Sequence, residues 1–108
     1  MGKYLIEETL ASQAFAGMLH NPEDRFEVLK PLFKAAGCKL EQGYASGIEN
    51  KAYMIVESPD LDSVYTVGAS FLASGAASAI KYIPLMTLSE TADICKKAAS
   101  LGYRPPGK

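Results

Sequence analysis

A chain of 108 residues is the size of one domain and is long enough to bury a core without disulfide or metal staples. Its make-up, 48% hydrophobic and 21% charged, excludes a disordered or fibrous chain. Eleven Lys and Arg stand against twelve Asp and Glu, a formal net charge of -1. The basic residues do not cluster in sequence, so there is no positive field to attract nucleic acid, which is not an expected partner.

Cys38 and Cys95 lie far apart, form no Cys-x-x-Cys pair, and have His20 as the one histidine to join them. This argues against zinc and against a disulfide framework, so both are expected as free thiols with no metal and no other cofactor. The opening MGKYLIEETL lacks an uninterrupted apolar run, and Gly2 is not followed by Ser or Thr where myristoylation needs one, so a cytoplasmic location is expected. The uncharged stretch SVYTVGASFLASGAASAI (63–80) carries five Ser or Thr and two Gly, which makes it too polar to cross a bilayer.

Taken in chain order, KYLIEE reads as a first strand buried on both faces. LASQAFAGML follows with Leu10, Ala14, Gly17 and Met18 at helical spacing. Asn21 then suits an N-cap, Pro22 a first helical position, and Glu23 and Asp24 the positive helix end. That helix has an apolar stripe of Phe26, Leu29, Leu32, Phe33 and Ala36, a kink expected at Pro31, and Gly37 at its left-handed end. In CKLEQGYAS, the residues Cys38, Leu40, Gln42 and Tyr44 alternate with Lys39, Glu41, Gly43 and Ala45, which predicts a second strand with one more protected face. GIENK is a connecting turn, and AYMIVE is a central strand covered on both sides.

Ser58 is the expected cap of the next helix, with Pro59 at its first position, Asp60 and Asp62 in its first turn, and Leu61, Val64, Gly68, Phe71 and Leu72 as its buried stripe up to Gly75. ASAIKYIPL is a fourth strand whose Pro84 argues for a sheet edge or a strand end. Thr87 and Glu90 form a capping-box pattern that opens a last helix bearing Leu88, Ala92, Cys95 and Ala99 on one face. YRPPGK, residues 103–108, reads as a loose tail to a single domain spanning 1–108.

This order predicts an α+β fold of the ferredoxin-like βαββαβ type. It comprises a four-stranded antiparallel sheet, a kinked or split first helix and an extra C-terminal helix. The first and third strands, the two most apolar, should be central. Two helices cover one face of such a sheet, so a second subunit is expected on the other face, making a homodimer.

The chain resembles the GYD-domain family, small bacterial proteins of the dimeric α/β-barrel superfamily, over roughly Tyr4 to Glu90. The carriers are EDR in the first helical region, AAGCKLEQGY entering the second strand, VESPD after the third and ASGAASAIKYIPL entering the fourth. The signature Gly-x-Tyr-Asp would fall on Ile48-Glu49-Asn50-Lys51, so its named residues are absent here. The resemblance implies a dimeric α/β barrel. Its wider superfamily includes cofactor-free monooxygenases, isomerases and dehydratases with pockets between helix and sheet.

The candidate site residues each have a structural alternative. His20 suits acid-base work near neutrality, or simply complements a helix end in water. Glu7 and Glu8 end a central strand, and whichever is desolvated could serve as a base, Glu7 being the catalytic candidate beside His20; both could equally lie in water or pair with Lys81 or Arg25. Tyr4, Tyr44, Tyr53 and Tyr82 sit on four different strands and could line a ligand pocket, or could pack in core and interface. The outer face of the second long helix, with Asp62, Tyr65, Thr66, Ala69 and Ala73, carries a single charge and suits either an oligomer contact or a bland surface. The leading functional expectation is a small apolar or aromatic ligand held between sheet and helices. The alternatives are a cofactor-independent enzyme acting on an enolisable molecule, and an oligomerisation or regulatory module.

Overall fold

A computed structural model describes residues 2–108. The elements are β1 (Gly2–Leu10), α1 (Ser12–His20), α2 (Arg25–Ala35), β2 (Lys39–Ser46), β3 (Lys51–Ser58), α3 (Leu61–Ser74), β4 (Ala77–Leu85) and α4 (Leu88–Ala99). The fold is α+β. Its four strands form one open antiparallel sheet in the order β2-β3-β1-β4, so β1 and β3 are central and Pro84 lies on an edge strand. An edge tolerates Pro84 because the missing N–H can face outward from the ladder.

Strand parity sorts the sheet into two faces. Ile6 of β1, Met54 and Val56 of β3 and Leu40 of β2 point to one face and are buried there beneath Phe33 of α2 and Val64, Val67 and Phe71 of α3. Phe33 and Phe71 meet edge to face at 6.2 Å, which joins the two helices over the sheet. The alternate residues Leu5, Ile55 and Ile83 are aligned across β3, β1 and β4 on the opposite face, where no helix covers them and they stay half-buried. Within this chain β1 and β3 are covered on one face only, as two helices over a four-stranded sheet imply.

A register shift in β2 corrects the expected alternation of that strand. Leu40 pairs with Val56, yet Gln42 pairs with its neighbour Ile55, so Glu41 is an extra residue and the alternation inverts beyond it. Leu40 is therefore buried, while Tyr44 pairs with Tyr53 on the uncovered face and is 65% exposed.

Two helix starts fall later than expected. Asn21 closes α1, donating its N–H to the Gly17 carbonyl, and Asp24 caps α2 by accepting the Phe26 N–H at 3.0 Å. The first helical region is thus split at residues 21–24, and α2 runs on through Pro31. Pro31 and Glu27 are both exposed, so the carbonyl that the ring leaves unbonded can be solvated. Likewise β3 pairs through Ser58, which faces Gly2, and Asp60 is the cap of α3, accepting the Ser63 N–H at 2.8 Å. Ser58 is fully buried instead: its hydroxyl donates to the Asp60 carbonyl at 2.7 Å and accepts from the Cys38 thiol. Leu61 and Leu72 are exposed, and Val67 takes their place in the α3 stripe.

The capping box of α4 forms as read, Thr87 and Glu90 each bonding the other's backbone N–H. Yet α4 buries no residue. The radius of gyration, 17.6 Å, exceeds the roughly 13 Å of a compact chain this long, and the longest dimension is 60 Å. Among the described residues no helix is long and apolar enough to cross a membrane.

Candidate functional site

The turn between β2 and β3 does more than connect. Asn50 adopts a left-handed backbone, φ 61°, which asparagine tolerates better than most residues. Its side-chain amide donates to the Leu10 carbonyl at 2.8 Å, and its own carbonyl accepts the Leu10 N–H at 3.0 Å. The end of β1 is thereby tied to the β2–β3 turn. Ala11 then donates to the Ala76 carbonyl, which starts α1 across the sheet's end.

This arrangement leaves a cavity of about 580 Å³ between α1, the start of α2 and the covered face of the sheet. Leu10, Phe15, Met18, Phe26, Leu29 and Met54 make much of its lining apolar. Glu23 and Asp24 on the 21–24 link and Arg25 at the start of α2 also line it, and Lys51 and Ser46 border it from the sheet. The volume lies in the range of small-molecule sites, and an apolar lining with few polar groups is what such sites offer.

One acidic side chain faces this space from the central strand. Glu8 shares the parity of Ile6, is only 7% exposed, and lines the cavity. Its carboxyl has no hydrogen-bond or ion-pair partner among the described residues. Burial raises its pKa above the ordinary glutamate value, and the more distant charge of Arg25 offsets this only in part. Arg25 is itself engaged, its guanidinium donating to Glu23 at 2.6 Å.

Glu7, one residue earlier, faces the other side. Its carboxylate accepts from Lys51 Nζ at 3.1 Å and lies 3.9 Å from Lys81 Nζ. His20 is exposed at the last turn of α1 and is not among the lining residues. The structure therefore does not bring His20 and Glu7 together.

The four strand tyrosines divide by parity. Tyr4 and Tyr82 pack under the helices against the core. The Tyr82 ring meets Tyr65 edge to face at 5.8 Å, and its occluded hydroxyl has no partner among the described residues. Burial raises the Tyr82 pKa, with the neighbouring Tyr65 adding to the effect. Tyr44 and Tyr53 lie on the uncovered face. Tyr44 borders the cavity from the edge strand while its hydroxyl donates to Gln42 at 3.4 Å. The Tyr53 hydroxyl donates to Glu49 at 2.6 Å, and that bond, with burial and the Glu49 charge behind it, pushes its pKa up to about 12. Tyr44 is the one member of the sequence-read set at the cavity.

From sequence, Glu8 reads beside Glu7 as a strand-end carboxylate that could be desolvated, and Arg25 as a pairing partner, but neither falls in the ligand-binding set. Parity could have found Glu8: Lys3 marks the phase of β1 that faces outward, so Glu8 must follow Tyr4 and Ile6 inward. Among the described residues no group of three or more His, Cys, Asp and Glu could hold a metal ion. Cys38 is buried and Cys95 exposed, both with free thiols. Compared with known proteins, the chain matches no family model and no curated protein.

Proposed function

We propose that this protein is a binding protein for a small apolar or aromatic molecule, which it holds in the cavity between α1, α2 and the sheet. The observation that carries the reading is the cavity itself, about 580 Å³ with a largely apolar lining and one buried acidic group. Binding is favoured over proton-transfer catalysis because His20 and Glu7 lie away from this space and, among the described lining residues, Glu8 is the one buried titratable group.

A homodimer of the ferredoxin-like, dimeric α/β-barrel kind belongs to the same reading, as does kinship with the bacterial GYD-domain proteins. Its support is the uncovered sheet face, where Leu5, Ile55 and Ile83 are half-buried and the carboxylates of Glu7 and Glu41 are already paired with Lys51 and Lys3. A face whose charges are neutralised in place loses less on desolvation when a second copy covers it.

Thermal denaturation with naphthalene and indole as probes tests the cavity. Both raise the melting temperature of the wild type, and Ala52→Leu, which adds bulk beside Glu8 at the cavity wall, removes the effect. No shift in the wild type, or an equal shift in the variant, overturns the reading. Sedimentation tests the dimer separately: a two-chain species that Ile55→Lys reduces to one chain is expected, and a single-chain wild type removes the dimer.

A further inference from the structure

We propose that Glu8 is the head-group anchor of the cavity, donating a hydrogen bond from its carboxyl to a neutral carbonyl oxygen on an otherwise apolar ligand. The inference rests on the binding reading above and names the class of molecule bound: aromatic or aliphatic ketones, aldehydes and esters.

Glu8 is more than nine-tenths buried, lines the cavity and has no hydrogen-bond or ion-pair partner among the described residues, whereas Glu7, its neighbour, has two lysines. Unlike the occluded Tyr82 hydroxyl, the Glu8 carboxyl oxygens are not sealed off, so water or a ligand in the cavity is what can satisfy them. An apolar enclosure favours the neutral carboxyl, which carries the O–H a carbonyl oxygen accepts. Charge around the site selects against the competing head groups. The two cations of the lining, Arg25 and Lys51, are already paired with Glu23 and Glu7 and so are not left free to hold a carboxylate, while an ammonium would draw on an ionised Glu8, which the enclosure disfavours. A neutral acceptor meets neither objection.

The groups around Glu8 are largely uncharged. Cross-strand lie Ala52 of β3 and Ile80 of β4. Phe71 comes from α3, and Gln13, Ala14 and Met18 from α1. The charged lining residues are Glu23, Asp24, Arg25 and Lys51. His20 ends α1 outside the lining.

Four probes with one aromatic body decide the matter: 2-acetylnaphthalene, 2-ethylnaphthalene, 2-naphthoate and 2-naphthylmethylammonium, titrated by calorimetry against the full chain at pH 5, 7 and 9. In the wild type at low pH the ketone binds about three- to tenfold tighter than the ethyl compound. That preference fades as pH rises and Glu8 loses its proton. Glu8→Gln keeps a donor, so the preference persists and its pH dependence disappears; Glu8→Leu abolishes the preference but still binds 2-ethylnaphthalene. His20→Gln leaves all of this unchanged.

Tightest binding of the ammonium probe, strengthening with pH, overturns the anchor, as does an equal ketone preference in wild type and Glu8→Leu. Binding of all four with no head-group discrimination sinks the anchor and spares the cavity. If none binds, the cavity reading falls and the anchor with it.

Discussion

Glu7 and Glu8 are adjacent in β1, yet they sit in opposite surroundings. On the uncovered face, Glu7 lies among alternating charges and tyrosines, paired with Lys51 and near Lys81. On the covered face, Glu8 shares the cavity lining with Met54 and Phe71 and has no partner among the described residues. One residue of pleat separates a solvated ion pair from a desolvated acid. The covered face is thus the side where changes are felt by packing and protonation, and the open face is the side where water and pairing absorb them.

The largest effect belongs to the seam between α3 and β4. A Cβ on Gly68 would lie 1.9 Å from the Tyr82 hydroxyl oxygen and 2.7 Å from the ring carbon bearing it. Neither atom can retreat readily, because the ring is wedged against Tyr65 and the hydroxyl is occluded. Gly68→Ala should cost about 3 kcal/mol, the upper end of overpacking penalties, measured by urea unfolding. Adding Tyr82→Phe should return part of that loss, since it removes the closest atom. A Gly68→Ala protein as stable as the wild type would show that this seam is not tightly packed.

Next in size is the carboxyl of Glu8. Its folded-state pKa is raised above the ordinary 4.5, so the folded chain holds the proton more tightly than the unfolded one. That contribution is fully present below pH 4.5 and is lost as pH rises through the raised value. Glu8→Gln keeps the shape without the ionisation, so it should gain on the order of 1 kcal/mol over wild type at pH 7 and little at pH 4. Thermal unfolding at the two pH values measures this. A variant less stable than wild type at pH 7 would mean that the ionised Glu8 is stabilised in the fold.

The sequence made the order of elements and the two central strands readable because each strand is short, apolar and bounded by its own turn residues. The Thr87–Glu90 box and the left-handed Gly75 were legible for the same reason, being local rules satisfied by local residues. What stayed hidden depends on partners distant in sequence. The extra residue at Glu41 can be seen only against β3, and it sends Tyr44 to the open face. Ser58 reads as a cap until its pairing with Gly2 makes it the last residue of β3, leaving the role to Asp60. Tyr4, Tyr44, Tyr53 and Tyr82 could not be sorted until the register was known. The last helix has a clear apolar spacing, but spacing does not say what it packs against, and in this chain it buries nothing.

The smallest effects should come from the open face, and they sharpen the contrast by their size. Glu7→Gln removes an ion pair whose side chains keep 19% and 30% of their exposure, so the cost should stay within about 1 kcal/mol and shrink further in high salt. Tyr53 gives a spectroscopic test on the same face that barely touches stability. Its hydroxyl donates to the Glu49 carboxylate, and a phenolate would meet that charge at 2.6 Å, which is why its ionisation is pushed up to about 12. Glu49→Gln replaces the charge with a neutral amide, so an ultraviolet pH titration should show one tyrosine moving back towards 10, the ordinary value. The melting temperature should hardly change, because the bond is exposed to water. An unchanged titration would mean that Tyr53 does not hold Glu49 in solution, and would remove the main polar tie between the β2–β3 turn and the uncovered side of the sheet.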